Sequence, residues 1–186
     1  MKLGKTFYPE TRSQWHAWLK KHHASEAEIW VVYYRKETGK PRISYNDAVD
    51  EALCFGWIDS TLKRVDEERF AQRFTPRKPK SNLSQANKER IHKLIAEKKM
   101  TEAGLTAVAH VYTSVEEFDI PPEILKPLKA NKEAWKNFKS FPESYKRVRI
   151  AYIVSRRRHG QEMFERSLNH FIKMTAWNKR IGFIRE

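Results

Sequence analysis

Trp57-Ile58-Asp59-Ser60-Thr61-Leu62-Lys63-Arg64, then Val65-Asp66-Glu67-Glu68, then Arg69-Phe70-Ala71-Gln72-Arg73-Phe74-Thr75, reads as two strands and a short link. A link of that length returns the chain directly, so the two runs are predicted to pair as an antiparallel hairpin. Upstream, Glu28-Ile29-Trp30-Val31-Val32-Tyr33-Tyr34 is β-branched and aromatic throughout, which predicts a largely buried strand closed by Gly39-Lys40-Pro41. The expected core is therefore a small antiparallel sheet of about three strands.

Helices flank that sheet in the sequence. Thr11-Arg12-Ser13-Gln14 has the spacing of a capping box, with Trp15, Trp18, Leu19 and His22 following at helical intervals to about His23. Ser44, with Asp47 three residues on, caps a second helix whose apolar stripe is Tyr45, Ala48, Val49, Ala52, Leu53 and Phe55; Gly56 suits the position after its end. Beyond Ser84 only helical periodicity appears. Ile91, Leu94 and Ile95 mark one helix, and Leu105, Val108, Ala109 and Tyr112 another that starts at Thr101. Thr113 to Pro122 reads as a connector, Asn131 caps a helix carrying Trp135 and Phe138, and Pro142 opens one apolar from Tyr145 to Val154. That last apolar surface is wider than one stripe, so the helix is expected to sit centrally. Phe164, Leu168, Phe171 and Ile172 define the final amphipathic helix. The fold class is α+β, with an α+β region over residues 1–115 and a helical region over 116–186 packed on it.

Composition narrows the class. Of 186 residues 40% are hydrophobic and six are tryptophan, enough to bury a core despite the high charge. The net charge of +14 is unevenly placed: residues 61–99 and 143–186 each carry a surplus of +7, around a nearly neutral middle. Basic blocks attract phosphate, nucleic acid or anionic membrane, and equally serve as a generally cationic surface. One cysteine excludes an intramolecular disulfide. No secretory signal is visible at the N-terminus and no apolar run approaches a bilayer span, so a cytoplasmic protein without a membrane span is expected.

Familiar catalytic signatures are missing: there is no dinucleotide fingerprint, P-loop, zinc-protease helix or paired-cysteine motif. The seven histidines are scattered, His22 and His23 pointing apart, so neither a metal site nor a cofactor is expected. On a helical wheel Cys54 falls on the face of Asp47, Asp50 and Glu51, whose charge disfavours the thiolate; an inert thiol is expected. Arg156-Arg157-Arg158 ends an apolar helix, where cations offset the helix dipole.

The densest information lies in Cys54-Phe55-Gly56-Trp57-Ile58-Asp59-Ser60 and Arg73-Phe74-Thr75-Pro76-Arg77-Lys78-Pro79-Lys80-Ser81-Asn82-Leu83-Ser84, continued by Asn87-Lys88-Glu89-Arg90 and Met100-Thr101-Glu102-Ala103-Gly104-Leu105. These runs resemble the YdeI/OmpD-associated family, strongly over residues 7–110, with Leu83 where that family has tryptophan. Farther on, Ala134-Trp135, Phe138, Pro142, Ser144 and Tyr145 match more faintly, and Arg156-Arg157-Arg158 and Gln161-Glu162 depart from the pattern. The resemblance implies a bacterial, cytoplasmic protein associated with stress or antimicrobial-peptide tolerance. The family name refers to bacteriocin protection and porin association, and no reaction follows from it.

Strand alternation places Asp59 and Ser60 on opposite faces and Arg73 and Thr75 on one face, with Arg77, Lys80 and Asn82 in the adjoining loop. Donors converging where the Ser84 helix begins would bind an anion. The ligand-binding set is thus Trp57, Asp59, Ser60, Arg73, Thr75, Arg77, Lys80, Asn82 and Ser84, with Asp59 the candidate catalytic acid or base. The same residues also suit a purely structural role, Asp59 pairing with one arginine and the loop donors holding an irregular segment. Three functions stay open: a binder of an anionic small molecule at residues 57–84, an enzyme working through Asp59, and a nucleic-acid binder using both basic blocks. Oligomeric state is not legible.

Overall fold

A computed structural model describes residues 3–79, 81–110 and 118–182. The chain divides into two compact units, Met1–Leu83 with Arg90–Thr113, and Ser84–Glu89 with Ser114–Glu186.

In the first unit, local chemistry starts each element. Thr11 caps helix α1 (Arg12–His22) through a reciprocal box: its hydroxyl accepts from the Gln14 amide, and the Gln14 side chain accepts from the Thr11 amide. Such a cap stabilises a helix by about 1 kcal/mol. The Ser44 hydroxyl accepts from the Asp47 amide at the start of α2 (Tyr45–Cys54). Strands β2 (Ile29–Tyr34), β3 (Trp57–Arg64) and β4 (Arg69–Pro76) form where β-branched and aromatic residues cluster. Asp66 fixes the hairpin between β3 and β4, its carboxylate accepting from the Glu68 and Arg69 amides.

The sheet has four strands in the order β1-β2-β4-β3, not the expected three. The addition is β1 (Thr6–Phe7), parallel to β2, which makes the sheet mixed rather than wholly antiparallel. Two residues are too few to show a strand period, so only the pairing to Trp30 and Val31 defines β1. One sheet face buries Ile29, Val31, Tyr33, Trp57 and Phe74 among Trp15 and Leu19 of α1 and Ala48, Val49, Ala52 and Leu53 of α2. The other face holds a smaller cluster of Trp30, Val32 and Ala71.

Helix α3 (Gln85–Ala96) contributes Ile91 and Leu94 to the larger core, and α4 (Glu102–Val108) contributes Val108. Contact of α4 with the end of α2 is at backbone distance. The Thr101 amide and hydroxyl both donate to the Cys54 carbonyl, at 3.0 and 2.6 Å, and a Cβ at Gly104 would lie 2.2 Å from that oxygen. Cys54 is buried and keeps the acidic neighbours of its helix face, Glu51 and Asp50. Its thiol is pushed up to about 12 by burial first and the Glu51 carboxylate second. The start of α4 packs against this end of the helix, so the acidic face is also a covered one, which no local pattern announces.

The second unit is built of α5 (Pro122–Ala130), α6 (Lys132–Ser140), α7 (Glu143–Ser155) and α8 (Gln161–Ala176). Helix α5 lies in a stretch that gave no helical expectation. Its proline at the first position suits a helix start, and Ile124 and Leu128 bury one side. Its core joins these two to Phe138, Tyr145, Ile153, Phe164, Leu168 and Phe171. As expected for a central helix, α7 buries residues around most of its circumference, including Lys146 and Arg149. Lys146 is satisfied by the Lys139 carbonyl at 3.0 Å and Glu143 at 2.7 Å. Among the described residues no helix is long and apolar enough to cross a membrane.

Candidate functional site

Helix α2 runs into β3 through Gly56, whose φ of +74° lets the chain turn where a side chain would be strained. A Cβ there would also meet the Ala107 side chain at 2.8 Å. Three residues on, Asp59 pairs across the ladder with Phe74 and so shares its face of the sheet. The register then slips between Asp59 and Leu62. Gln72 occupies the slip: its side-chain amide, buried on β4, donates to the Ser60 carbonyl at 3.1 Å and to the Asp59 carboxylate at 3.2 Å. The Tyr45 hydroxyl of α2 donates to the same carboxylate oxygen at 2.8 Å.

Tyr33, stacked on Phe70 at 5.1 Å on this face, is 1% exposed, and its hydroxyl has no hydrogen-bond partner among the described residues. Burial first, then the Asp59 charge, push the Tyr33 and Tyr45 phenols well above their ordinary range. Asp59 thus sits among neutral phenols and an amide, and no arginine pairs with it among the described residues.

Arg73 lies on the opposite face. Its guanidinium forms an ion pair with Glu28, through Nε at 2.8 Å and through Nη2. The carboxyl of Glu28 is held below its usual range by that guanidinium. Thr75 shares the face of Arg73 and is half-buried, while Ser60 is exposed and reaches only the Arg73 carbonyl, at 3.4 Å. Trp57 is a core residue, its indole donating to the His23 carbonyl at 3.0 Å.

Arg77 folds back on its own loop. One guanidinium nitrogen donates to the Ser81 carbonyl and hydroxyl, both at 3.0 Å, and to the Asn82 carbonyl at 3.2 Å. Its Nε is buried without a partner among the described residues, and burial pushes the guanidinium below its ordinary range. Asn82 is exposed; Lys80 lies outside the described residues. The Ser84 hydroxyl accepts from the Asn87 amide at 3.3 Å, as a helix cap does.

The nine nominated residues therefore separate. Asp59 stands on the α2 side of the sheet with Tyr33, Tyr45 and Gln72, three residues that the sequence did not nominate. Arg73 stands on the other side with Glu28, and Arg77 with Asn82 forms the loop. Two surface grooves, of about 640 Å³ beside Phe7, Tyr8 and Trp18 and about 500 Å³ beside Arg35 and Glu68, include none of the nine. Among the described residues no cluster suited to a metal ion occurs.

Comparison with known proteins divides the chain in two. Residues 7–107, more than half of its length, match the family described as Domain of unknown function (DUF8412), and the chain belongs to that family. Residues 117–178 match the description Bacteriocin-protection, YdeI or OmpD-Associated. That second match falls on the segment carrying the fainter motifs, Ala134-Trp135 and Pro142 to Tyr145, and not on the Cys54–Leu105 runs from which the resemblance was read. No curated protein and no solved structure matches the chain.

Proposed function

We propose that the first unit binds a small anionic ligand, a phosphate- or carboxylate-bearing metabolite, at the loop following β4, with Arg77 as its charge anchor. One observation carries the reading. The Arg77 guanidinium is partly withdrawn from water yet, among the described residues, is met only by neutral oxygens, whereas the Arg73 cation is neutralised by Glu28. A desolvated cation without a counter-ion gains most from an incoming anion. Lys78 and Asn82 are exposed on the same loop, and Thr75 lies at the end of β4 that leads into it. Trp57, Asp59, Ser60 and Arg73 lie on the strands that present the loop, and Ser84 caps the helix after it.

Thermal-shift titration with phosphate- and carboxylate-bearing metabolites at low salt tests this. Stabilisation by at least one of them is expected, lost in Arg77→Ala and retained in Arg73→Ala. If no anion shifts the melting temperature, or if Arg77→Ala keeps the shift, the loop is structural.

A second reading, acid–base chemistry at Asp59, is favoured by the buried, unpartnered Tyr33 hydroxyl beside an already hydrogen-bonded carboxylate. A role in antimicrobial-peptide tolerance and a cytoplasmic location complete the proposal. Recovery of a tagged chain outside the cytosol would overturn the location, and unchanged peptide sensitivity in a deletion strain would overturn the role.

A further inference from the structure

Arg149, Tyr152 and Arg156 stand at positions i, i+3 and i+7 along α7 and its capping residue, which places them on one helix face. The Arg149 guanidinium carbon lies 4.7 Å from the Tyr152 ring centroid and that of Arg156 lies 5.7 Å from it. Arg149 is only 9% exposed. The Nε atoms of both arginines are buried without a hydrogen-bond partner, and no carboxylate pairs with either among the described residues. Burial lowers the Arg149 pKa, and nothing acidic except the tyrosine hydroxyls acts against that.

Neighbouring cations behave differently. Arg157, the next residue, is ion-paired with Glu123, and Lys146, one turn before Arg149, with Glu143. The segment after α8 is pinned beside the pair by the Ile181 amide, which donates to the Tyr145 hydroxyl at 3.0 Å. Gly182 leaves room there: a Cβ would come within 3.1 Å of Arg149 Nη1. Bringing two like charges together and desolvating one costs more than contact with one aromatic ring returns.

We propose that Arg149 and Arg156 form a phosphate site, with the Tyr152 ring as its platform, for a nucleotide, free or within a single strand. Planar guanidinium forks match phosphate oxygens. Tyr152 is 44% exposed, so its ring is accessible to a base as well as to the two cations. The arrangement recurs at Trp177, 58% exposed, with the Lys173 and Lys179 ammonium groups 5.0 and 5.7 Å from its ring. Exposed aromatics bracketed by cations are how single strands are held without sequence preference. Residues 143–186 supply the surrounding positive surplus.

The test is fluorescence anisotropy of the whole chain with labelled adenosine monophosphate and with labelled RNA and DNA single strands of about 12 nucleotides. Binding at low salt is expected, weakened about tenfold or more by Arg149→Ala and by Arg156→Ala, and likewise by Tyr152→Ala. Tyr152→Phe should bind as the parent does, because the ring and not the hydroxyl is the platform, and the losses in Arg149→Ala and Arg156→Ala separate this site from the one proposed in the first unit. Strands binding well above the mononucleotide, with salt-dependent affinity, identify the source as nucleic acid; equal affinities identify a free nucleotide. Should Arg149→Ala fail to fold, Arg156→Ala, beyond the helix body, decides alone. Parent-like binding by that variant, or no binding of any probe at low salt, overturns the proposal.

Discussion

The two units of this chain place particular arginines and aromatic rings in contrasting surroundings. In the sheet-bearing unit four arginines are matched with acids: Arg12 with Glu51 and Asp47, Arg69 with Asp66, Arg73 with Glu28, and Arg90 with Asp50 and the Asn46 amide, while Arg77 meets neutral oxygens. Three of its four tryptophans are internal, Trp15, Trp30 and Trp57 each at most 2% exposed, and Trp18 is half-buried. In the helical unit Arg149 and Arg156 lean on Tyr152, and Trp177 stands exposed under two lysines. Net charge describes both stretches alike. What separates Arg73 and Arg90 from Arg149 and Arg156 is whether an acid or a ring faces the cation, and that decides whether an arginine secures the fold or remains open to a ligand.

The largest contrast should come from the tryptophans. Trp15→Ala removes a fully buried ring whose indole donates to the Ala48 carbonyl at 3.0 Å, and is expected to cost about 3–5 kcal/mol in urea unfolding. Trp177→Ala is expected to stay within about 0.5 kcal/mol. Similar losses for both would mean that Trp177 belongs to a core.

Next come the arginines. Arg90→Leu abandons Asp50 and Asn46 and should destabilise by about 1.5–3 kcal/mol. Arg149→Leu removes a buried cation that no acid meets among the described residues, and should leave stability unchanged or raise it. A loss at Arg149 equal to that at Arg90 would make it a structural residue and remove the contrast between the units.

Cys54 sharpens the picture of the first unit's interior. The folded thiol titrates at about 12, against an ordinary 9.0, so the folded state keeps a proton that the unfolded state gives up. Its contribution is intact below pH 9 and is lost as the pH rises from 9 towards 12, at up to about 1.4 kcal/mol per pH unit. Alkaline unfolding of Cys54→Ala should show a shallower slope than the parent. An unchanged slope would mean that the thiol is not the group responsible.

The smallest effect belongs to the sheet surface. Glu28→Gln breaks a half-exposed pair and should cost about 0.2–1 kcal/mol at neutral pH. Because the Glu28 pKa is depressed, that contribution is present above its unfolded value and lost as pH falls through the folded one. Parent and variant should therefore converge in acid, and a gap persisting at low pH would contradict the pairing.

Much of the fold was legible because its causes are local. The capping pair Thr11 and Gln14, the Ser44 and Thr101 caps, the hairpin held by Asp66 and the turn at Gly56 all involve residues within a few positions of one another. Helix α5 was not marked as a separate helix, its start falling at the end of the connector read up to Pro122, although Ile124 and Leu128 were spaced to show one buried side. Strand β1 left no signal at all.

The sequence by itself determined an α+β chain with a helical carboxyl-terminal part, the main strands and caps, and the presence of a basic loop after β4. Only the tertiary structure decided which charge each side chain meets. Asp59 finds Tyr45 and Gln72, 14 and 13 residues away, and Arg73 finds Glu28 at 45. Those partnerships depend on strand order, on the slip between Asp59 and Leu62, and on which face each residue takes. The slip and the strand order follow from burying the whole sheet at once, so a local pattern that places Asp59 and Arg73 near each other in the chain cannot show that the sheet lies between them.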